Sequence, residues 1–385
     1  MPTISSKLPE VGTTIFTVMS ALAQEHGALN LSQGYPDFDG PPALLERVQY
    51  YLNHGHNQYP PMIGVASLRQ AIATKVKDLY GASVDPETEI TVTAGATEAL
   101  FCAIAATVGP GDEVIVFDPA YDSYAPVVRL QGGQTIHIPM RAEQNFAIDW
   151  QRVADAVTPR TRMLIINTPH NPTGTVWHAA DIEALRELIT DTDIFILADE
   201  VYEHIVFDQL QHESMCRYAD LLERSFVVSS FGKTYHVTGW KVGYCIAPAA
   251  LSAEFRRVHQ FVTFTVNTPV QLGLADFLQQ TPEHHLELGA FYQAKRDLFC
   301  KLLEPSRFTL MPSGGTYFQL LNYASISQDR DLELAQRWTR ELKLASIPVS
   351  VFYADPTQLN QPVLRFCFAK DDGTLTHAAE ILCSL

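Results

Sequence analysis

The chain has 385 residues and a mass of 42.9 kDa, with 46% hydrophobic and 18% charged residues. This composition excludes a disordered, collagen-like or coiled-coil protein, and the length predicts roughly two or three domains. The 27 basic and 43 acidic residues give a net charge of −16, which disfavours a nucleic-acid partner because the phosphate backbone would be repelled.

Neither the N-terminus nor the cysteines indicate export or membrane insertion. The first residues lack the basic stretch and apolar run of a signal peptide, and no apolar segment approaches the roughly 18–20 residues of a spanning helix. The six cysteines lie far apart, without a CxxC pair or a zinc-like cluster. We therefore expect a cytoplasmic protein with reduced thiols, no membrane partner and no metal site.

Short apolar, β-branched runs in the middle of the chain predict seven strands. The first six start 22 to 31 residues apart, which leaves room for crossover helices, and helices are predicted at 97–108, 121–131 and 180–189. This alternation indicates a mostly parallel sheet covered on both faces. Only 12 residues separate the last two strands, so an antiparallel seventh strand stays an open alternative. The predicted strands are 90–93, 113–117, 135–138, 163–167, 194–198, 225–229 and 242–247.

The pattern changes after about residue 281 and indicates a second, smaller unit. We predict an α/β protein with a large domain over 55–280, a small α+β domain over 281–385, and an N-terminal segment, 1–54, that joins the small domain. The helical face of 333–344 carries regularly spaced apolar residues. The predicted elements of the small domain are the strands 307–311, 316–321, 347–351 and 363–368 and the helices 333–344 and 374–382.

Small and polar residues follow several predicted strands, at the edge where open parallel sheets bind ligands. After the first strand, Ala96 and Thr97 open a helix whose N–H groups and dipole suit a phosphate; an ordinary N-cap explains Thr97 equally well. After the second strand, Tyr121 would stack on a planar ligand or merely pack. After the fourth, Asn171 begins an Asn-Pro-Thr-Gly run that a turn alone explains.

Two ionisable residues follow the fifth and sixth strands. Asp199 ends a buried apolar run, where an unpaired carboxylate is costly; a helix N-cap is the competing interpretation. Lys233 follows another apolar run, and a desolvated lysine has a lowered pKa and becomes a nucleophile; a solvated loop lysine is more common. Neither GxGxxG nor GxxxxGK[ST] occurs, so no dinucleotide or nucleoside-triphosphate fingerprint is present.

The joint placement of these residues is more specific than any one of them. A phosphate-type helix start, an aromatic ring, an Asn, an Asp, a Tyr and two lysines, Lys233 and Lys241, fall at one edge of the predicted sheet. Together they suit an aromatic, phosphorylated cofactor that needs a covalently bound lysine and an acid at a ring nitrogen. Pyridoxal 5′-phosphate has this chemistry.

Short motifs along nearly the whole chain carry a family resemblance. In order they are Gly-Tyr-Pro-Asp-Phe (34–38), Asn-Gln-Tyr (57–59), Asn-Pro-Thr-Gly (171–174), Ala-Asp-Glu-Val-Tyr (198–202), Ser-x-x-Lys (230–233), Thr-Gly-Trp-Lys-Val-Gly (238–243) and Leu-Arg-Phe-Cys-Phe (364–368). With them the chain resembles a class-I aminotransferase of the aspartate aminotransferase fold, the pyridoxal-phosphate-dependent transferase fold type I. Within the family it is most similar to the kynurenine/glutamine transaminase branch and to bacterial methionine aminotransferases.

The resemblance implies a role for each matched cofactor residue. Lys233 would bind the cofactor covalently and shuttle the substrate's proton, Asp199 would pair with the pyridine nitrogen, and Tyr202 would hydrogen-bond the ring's 3′ oxygen. Many relatives carry arginine where this chain has Lys241, and a lysine is a point charge without the planar fork. The further implied cofactor contacts are Asn171 at the same oxygen, Tyr121 on the ring, and Ala96, Thr97, Ser230 and Lys241 at the phosphate.

The resemblance also implies a homodimer and a substrate site. Tyr59 would reach the phosphate of the neighbouring subunit. Arg365, Asn171 and the backbone of Gly34 would hold the substrate carboxylate, which a bidentate guanidinium fits well; an exposed strand arginine is the competing interpretation of Arg365. The side-chain pocket would be lined by Phe16 and Tyr35.

We expect a transaminase that moves the amino group of methionine or of an aromatic or large apolar amino acid to a 2-oxo acid by a ping-pong mechanism. A cysteine S-conjugate β-lyase stays open, because the substrate's leaving group decides which bond breaks. A non-catalytic ligand-sensing module is disfavoured, because the matched pattern runs from about residue 10 to about 380 and the chain is acidic.

Overall fold

The computed structural model describes residues 3–311, 313–356 and 361–385. Its helices are α1 (Ile15–His26), α2 (Pro42–Asn53), α3 (Ala66–Tyr80), α4 (Gly95–Thr107), α5 (Tyr124–Leu130), α6 (Trp150–Ala156), α7 (Ala179–Ile189), α8 (Ala219–Leu222), α9 (Phe231–Thr234), α10 (Ala249–Val262), α11 (Thr268–Gln280), α12 (Glu283–Leu303), α13 (Asp331–Glu341) and α14 (Asp372–Cys383). Its strands are β1 (Leu29–Asn30), β2 (Ile90–Thr93), β3 (Glu113–Asp118), β4 (Gln134–Pro139), β5 (Thr161–Asn167), β6 (Phe195–Asp199), β7 (Ser225–Ser230), β8 (Gly243–Ile246), β9 (Thr309–Met311), β10 (Phe318–Asn322), β11 (Leu344–Ala345), β12 (Ile347–Pro348) and β13 (Val363–Cys367).

A seven-stranded sheet in the order β2-β8-β7-β6-β5-β3-β4 forms the centre of the larger unit. The pairings between β7, β6, β5, β3 and β4 are parallel, whereas β8 runs antiparallel to β2 and to β7. The connection from β7 to β8 is at the lower limit for a parallel crossover, which takes about a dozen residues or more. The predicted α/β class and the seven-stranded, mostly parallel sheet are confirmed, and the open alternative for the last strand is resolved as antiparallel.

Both faces of the sheet are covered by helices, so its central strands are apolar on both sides. Along β5, Leu164 and Ile166 belong to one core, while Met163 and Ile165 belong to another. The first core also contains residues of α3, α7 and α11, and the second contains residues of α4, α5 and α10. The alternation of side chains along a strand explains the two cores, and the unbroken apolar runs of the sequence follow from them.

The smaller unit is built around the antiparallel sheet β12-β13-β10-β9. Buried residues of α12, α13 and α14 pack in its core, together with Met19 of α1. The N-terminal β1 pairs in parallel with β11, so this part of the N-terminal segment joins the smaller unit. By contrast, Leu44 and Val48 of α2 pack in a core of the larger unit. The domain boundaries at 54/55 and 280/281 stay predictions.

Some predicted elements differ from those observed. The N-terminal segment shows no sequence rhythm, yet it contains the helices α1 and α2. The predicted strand 347–351 is short, because the carboxylate of Asp331 accepts hydrogen bonds from the backbone N and Oγ of Ser350 at 2.7 and 2.6 Å. These bonds hold the chain in a 3-10 turn directly after β12. In the described ranges no helix combines the length and the apolarity that crossing a membrane requires.

Candidate active site

A cavity of about 200 Å³ lies at the carboxyl edge of the seven-stranded sheet. It collects the residues that follow β2, β3, β5, β6 and β7, as the position of ligand sites in open parallel sheets predicts. Every predicted cofactor-binding residue except Tyr59 lines it. The lining residues are Gly95, Ala96, Thr97, Leu100, Tyr121, Asn167, Asn171, Asp199, Val201, Tyr202, Ser230, Gly232, Lys233, Thr238 and Lys241.

Lys233 lies in the short helix α9, directly after β7. Its Nζ donates a hydrogen bond to the carbonyl oxygen of Gly34 at 3.1 Å and lies 5.6 Å from the ring centres of both Tyr202 and Tyr317. Burial disfavours the charged amine and lowers the pKa of Lys233 to about 8. A substantial fraction of this amine is therefore neutral near pH 8, and a neutral amine is the form that attacks a carbonyl carbon.

Asp199 is the last residue of β6 and is 4% exposed. The hydroxyl of Tyr124 donates to its Oδ2 at 2.7 Å. Burial raises the pKa of Asp199 to about 6, and the hydrogen bond from Tyr124 opposes this rise. Asp199 is thus ionised above about pH 6, as a carboxylate that holds a protonated ring nitrogen must be. The role of Tyr124 was not anticipated, although its place one helical turn after Tyr121 is a usable signal.

The start of α4 and Lys241 give the cavity hydrogen-bond donors and a positive charge that suit an anion. The first turn of α4 presents its N–H groups there, and Gly95 makes this turn with a left-handed φ of +75°. The Nζ of Lys241 lies 3.3 Å from Oγ1 of Thr97 and donates to it. A Cβ on Gly243 would lie 2.9 Å from the backbone nitrogen of Ala96, so only glycine allows β8 to pack this closely against the start of α4.

Arg365 of β13 approaches the cavity from the smaller unit and is completely buried. Its Nη1 donates to Oδ1 of Asn171 and its Nη2 to the carbonyl oxygen of Ser32, both at 2.8 Å. The guanidinium carbon lies 3.9 Å from the ring centre of Phe318. Burial lowers the pKa of Arg365 to about 10. Its Nε has no hydrogen-bond partner among the described residues, so one donor of the guanidinium is unused within the chain.

Four further predicted residues lie outside the cavity lining. The carbonyl oxygen of Gly34 reaches Lys233, as above. Phe16 packs 5.7 Å from Phe352 and 5.4 Å from the guanidinium carbon of Arg365. Tyr35 and Tyr59 are 44% and 84% exposed. The exposed arginine proposed as the competing interpretation of Arg365 is excluded by its burial.

Two residues that the sequence did not single out complete the surroundings of the reactive lysine. The hydroxyl of Tyr317 donates to the carbonyl oxygen of Gly34 at 2.5 Å, the same oxygen that Lys233 contacts. Asn167 donates to the backbone oxygen of Asp199 at 2.8 Å and accepts from the backbone N–H of Asn171 at 2.8 Å. Asn167 ends a strand four residues before Asn171, the first residue of the Asn-Pro-Thr-Gly run, whereas Tyr317 has no comparable signal.

The donors and acceptors of this cavity fit pyridoxal phosphate. Lys233 offers an amine of lowered pKa, and Asp199 offers a carboxylate for the ring nitrogen. The start of α4 and the charge of Lys241 offer donors for the phosphate, and Tyr121, which is half-buried at the cavity wall, offers a ring face.

Comparisons with known proteins match nearly the whole chain to aminotransferases. The family model of class I and II aminotransferases matches residues 26–382. The methionine aminotransferase of Escherichia coli K12 is 55% identical over 377 residues, which cover 98% of this chain and 97% of that protein. A probable N-succinyldiaminopimelate aminotransferase of Mycobacterium tuberculosis is 39% identical and covers 97% of this chain and 96% of its own.

A solved structure gives a similar result. The structure of Escherichia coli YbdL, for which a methionine aminotransferase function was identified, superposes with a TM-score of 0.97 at 54% identity and covers 100% of both chains.

Lys233, rather than Lys241 eight residues further on, is predicted to bind the cofactor covalently. After reduction of the pyridoxal phosphate complex with borohydride, peptide mapping should find the label on Lys233, because its amine is partly neutral and faces the cavity. The variant Lys233→Ala should take up no label, and Lys241→Ala serves as the matched control that should still be labelled. A label on Lys241 in the unaltered protein would overturn the assignment.

Proposed function

Because the chain belongs to the class I and II aminotransferases, we propose that it transfers the amino group of methionine, or of an aromatic or other large apolar amino acid, to a 2-oxo acid. The observation that carries this specificity is the surroundings of Arg365. Its guanidinium suits the carboxylate that all these substrates share, and the rings of Phe16, Phe318 and Phe352 surround it within 6.0 Å.

A second cavity of about 780 Å³ shares Tyr121 with the first and supports an apolar substrate side chain. Ile15, Val18 and Phe352 contribute apolar walls. No arginine or lysine lines this cavity in the described part of the chain, whereas Asp122 does. A second carboxylate on the substrate would therefore meet no arginine or lysine there, and the acidic side chain of Asp122 would repel it.

When bound, pyridoxal phosphate supplies an electron-poor ring that takes up the amino group of one substrate and gives it to the next. Lys233 would hold the cofactor through Nζ, and the same atom, when not bound to the cofactor, would carry the substrate's Cα proton. Asp199, ionised above about pH 6, keeps the ring nitrogen protonated and so stabilises developing negative charge. Tyr202, which is 3% exposed and lines the cavity, would hydrogen-bond the ring's 3′ oxygen.

Arg365 and Asn171 orient the substrate through its carboxylate. Arg365 contacts the cavity residue Asn171, and one arginine binds one carboxylate at a time. The amino donor and the oxo-acid acceptor would therefore occupy the same place in turn. This arrangement supports the ping-pong order.

All six thiols are unpaired, which supports the cytoplasmic location; that location stays a prediction.

We also propose that the active unit is a homodimer. Tyr59 lies in a patch of exposed apolar side chains with Phe261, Val262 and Phe264, which are 84%, 85%, 49% and 44% exposed. Patches of this kind mark protein–protein contacts. The ring of Tyr59 packs edge-on at 5.6 Å against Phe264, with its hydroxyl free to reach a neighbouring subunit's phosphate site.

Methionine and phenylalanine should exceed aspartate as amino donors by at least about tenfold in kcat/KM, equivalent to ~1.4 kcal/mol. The reason is the absence of a second arginine or lysine for the distal carboxylate among the described cavity residues, together with the burial of methylene groups at about 0.8 kcal/mol each. Steady-state rates with several oxo-acid acceptors measure this. Aspartate equal to or better than methionine would contradict the proposed specificity. With a cysteine S-conjugate, release of pyruvate and ammonia in place of a new amino acid would favour the β-lyase alternative.

Asp199→Asn should still bind the cofactor but lose about two or more orders of magnitude in kcat, the size of effect that follows removal of an oriented stabilising group. Asp118→Asn is a matched control. Asp118 is also buried at the end of a parallel strand, but its carboxylate already contacts His137 at 2.8 Å and the backbone N–H of Ala354 at 2.9 Å. A near-normal rate for Asp199→Asn would mean that the carboxylate acts only as a local cap.

The dimer predicts separate effects for two variants. Phe261→Asp should produce a monomer, because it places a charge in the apolar patch. Tyr59→Phe should keep the dimer but weaken pyridoxal phosphate binding about tenfold or more, since a hydrogen bond to a charged group contributes about 1.5–3 kcal/mol. Sedimentation velocity and cofactor titration measure the two properties. A monomeric unaltered protein, or unchanged affinity in Tyr59→Phe, would refute the arrangement.

A further inference from the structure

A buried carboxylate directly behind the cofactor cavity accepts four hydrogen bonds. Oε1 of Glu203 accepts from Nζ of Lys75 at 2.7 Å, from Oγ of Ser229 at 2.5 Å and from the hydroxyl of Tyr244 at 2.9 Å. Its Oε2 accepts from the hydroxyl of Tyr80 at 2.5 Å. These five residues form what we call the Lys75–Glu203 network.

The ammonium group of Lys75 also has a partner for each of its three donors. Besides Glu203, its Nζ donates to the hydroxyl oxygen of Tyr244 at 2.6 Å and to Nε2 of His204 at 3.2 Å. The side chains of Lys75 and Glu203 are 5% and 4% exposed. Burial disfavours the ionised carboxylate, yet the Lys75 charge and the hydrogen bonds outweigh it and hold the pKa of Glu203 well below its usual range.

The network touches the backbone segments that carry the cofactor-binding side chains. Glu203 directly follows Tyr202 in the turn after β6, and Ser229 directly precedes Ser230 at the end of β7. Ser229 is paired with Tyr244 across β7 and β8. One carboxylate thus joins the turn after β6 to two strands and, through Lys75, to helix α3.

We propose that Lys75 and Glu203 are positioning residues, which fix the turn after β6 against the end of β7 and thereby set the relative placement of the cofactor-binding side chains that these two segments carry. The inference rests on the proposed function, since it concerns the same cofactor pocket. Neither residue lines the cavity, so both act through their neighbours.

The physical argument is the cost of an isolated buried charge. Removal of one partner leaves the other charge buried and unpaired, which disturbs a site much more than removal of both. A shift of the segment would move Tyr202, which lines the cavity and would hydrogen-bond the ring oxygen of the bound cofactor, and would so alter the cofactor's protonation equilibrium. A residue with a purely structural role would lower the melting temperature without moving that equilibrium.

The test uses the full-length protein with Glu203→Gln, Lys75→Met and the double variant. Pyridoxal phosphate is titrated into the cofactor-free protein to measure its Kd, and the visible absorbance of the complex is followed against pH. Each single variant should weaken binding about tenfold or more and move the pH midpoint by about half a unit or more. The double variant should lose less than the sum of the two single losses.

Glu113→Gln is the matched control. Glu113 is another buried carboxylate, but it lies at the amino end of β3 and accepts from Oγ1 of Thr158 at 2.5 Å. It should lower the melting temperature and leave both Kd and the pH midpoint unchanged. If Glu203→Gln does not fold, Ser229→Ala removes one donor from the same carboxylate, and it should shift the midpoint in a milder way.

The outcomes separate this inference from the function on which it rests. If the unaltered protein binds no pyridoxal phosphate, the proposed function itself is wrong. If it binds the cofactor, while folded variants of the network keep Kd within about twofold and the midpoint unchanged, then the positioning role is refuted and the enzyme assignment stands.

Discussion

The guanidinium of Arg365 is fully buried, and the chain satisfies only part of it: two donors bind Asn171 and Ser32, while Nε has no partner among the described residues. A charge in this state has strong affinity for an anion, because water does not compete for it. The guanidinium is joined to the cofactor cavity through Asn171, which lines the cavity together with Lys233. The ring centres of Phe16 and Phe318 lie 5.4 and 3.9 Å from the guanidinium carbon.

Four buried ionisable groups of this protein differ in how many partners the chain gives them. Glu203 and Glu98 are provided with partners from within the chain: Glu203 binds Lys75, and Glu98 binds His259 at 2.7 Å and the backbone N–H of Ala94 at 2.9 Å. The side chains of Asp199 and Lys233 have only neutral hydrogen-bond partners among the described residues, including the hydroxyl of Tyr124 for Asp199 and the carbonyl oxygen of Gly34 for Lys233. Burial raises the pKa of Asp199 and lowers the pKa of Lys233. Glu203 and Glu98 hold the framework, whereas Asp199 and Lys233 line the cavity and remain available for chemistry.

The shifted pKa values of Asp199 and Lys233 also match the protonation states that the cofactor needs. Burial places the pKa values of Asp199 and Lys233 near 6 and 8, so between these values the carboxylate is ionised and part of the amine is neutral. Both forms are required for a cofactor that is bound through a lysine and held by a carboxylate at its ring nitrogen. Below about pH 6 protonation of Asp199 removes one of them.

The sequence by itself determined the alternation of strands and helices and the edge at which the polar residues follow the strands, because these features are local and repeat with the period of each element. It left the state of Asp199 and Lys233 open, because burial, which shifts the pKa of both, depends on the packing around them. The sequence pattern did not predict helices α1 and α2. Each buries only two residues, and the two helices pack in the cores of different units. Only the tertiary structure decided that Tyr124 binds Asp199, that Lys233 and Tyr317 share the oxygen of Gly34, and that Lys75 reaches Glu203. Such contacts join residues far apart in the chain, and they depend on strand order, register and the packing of two units, which no local periodicity encodes.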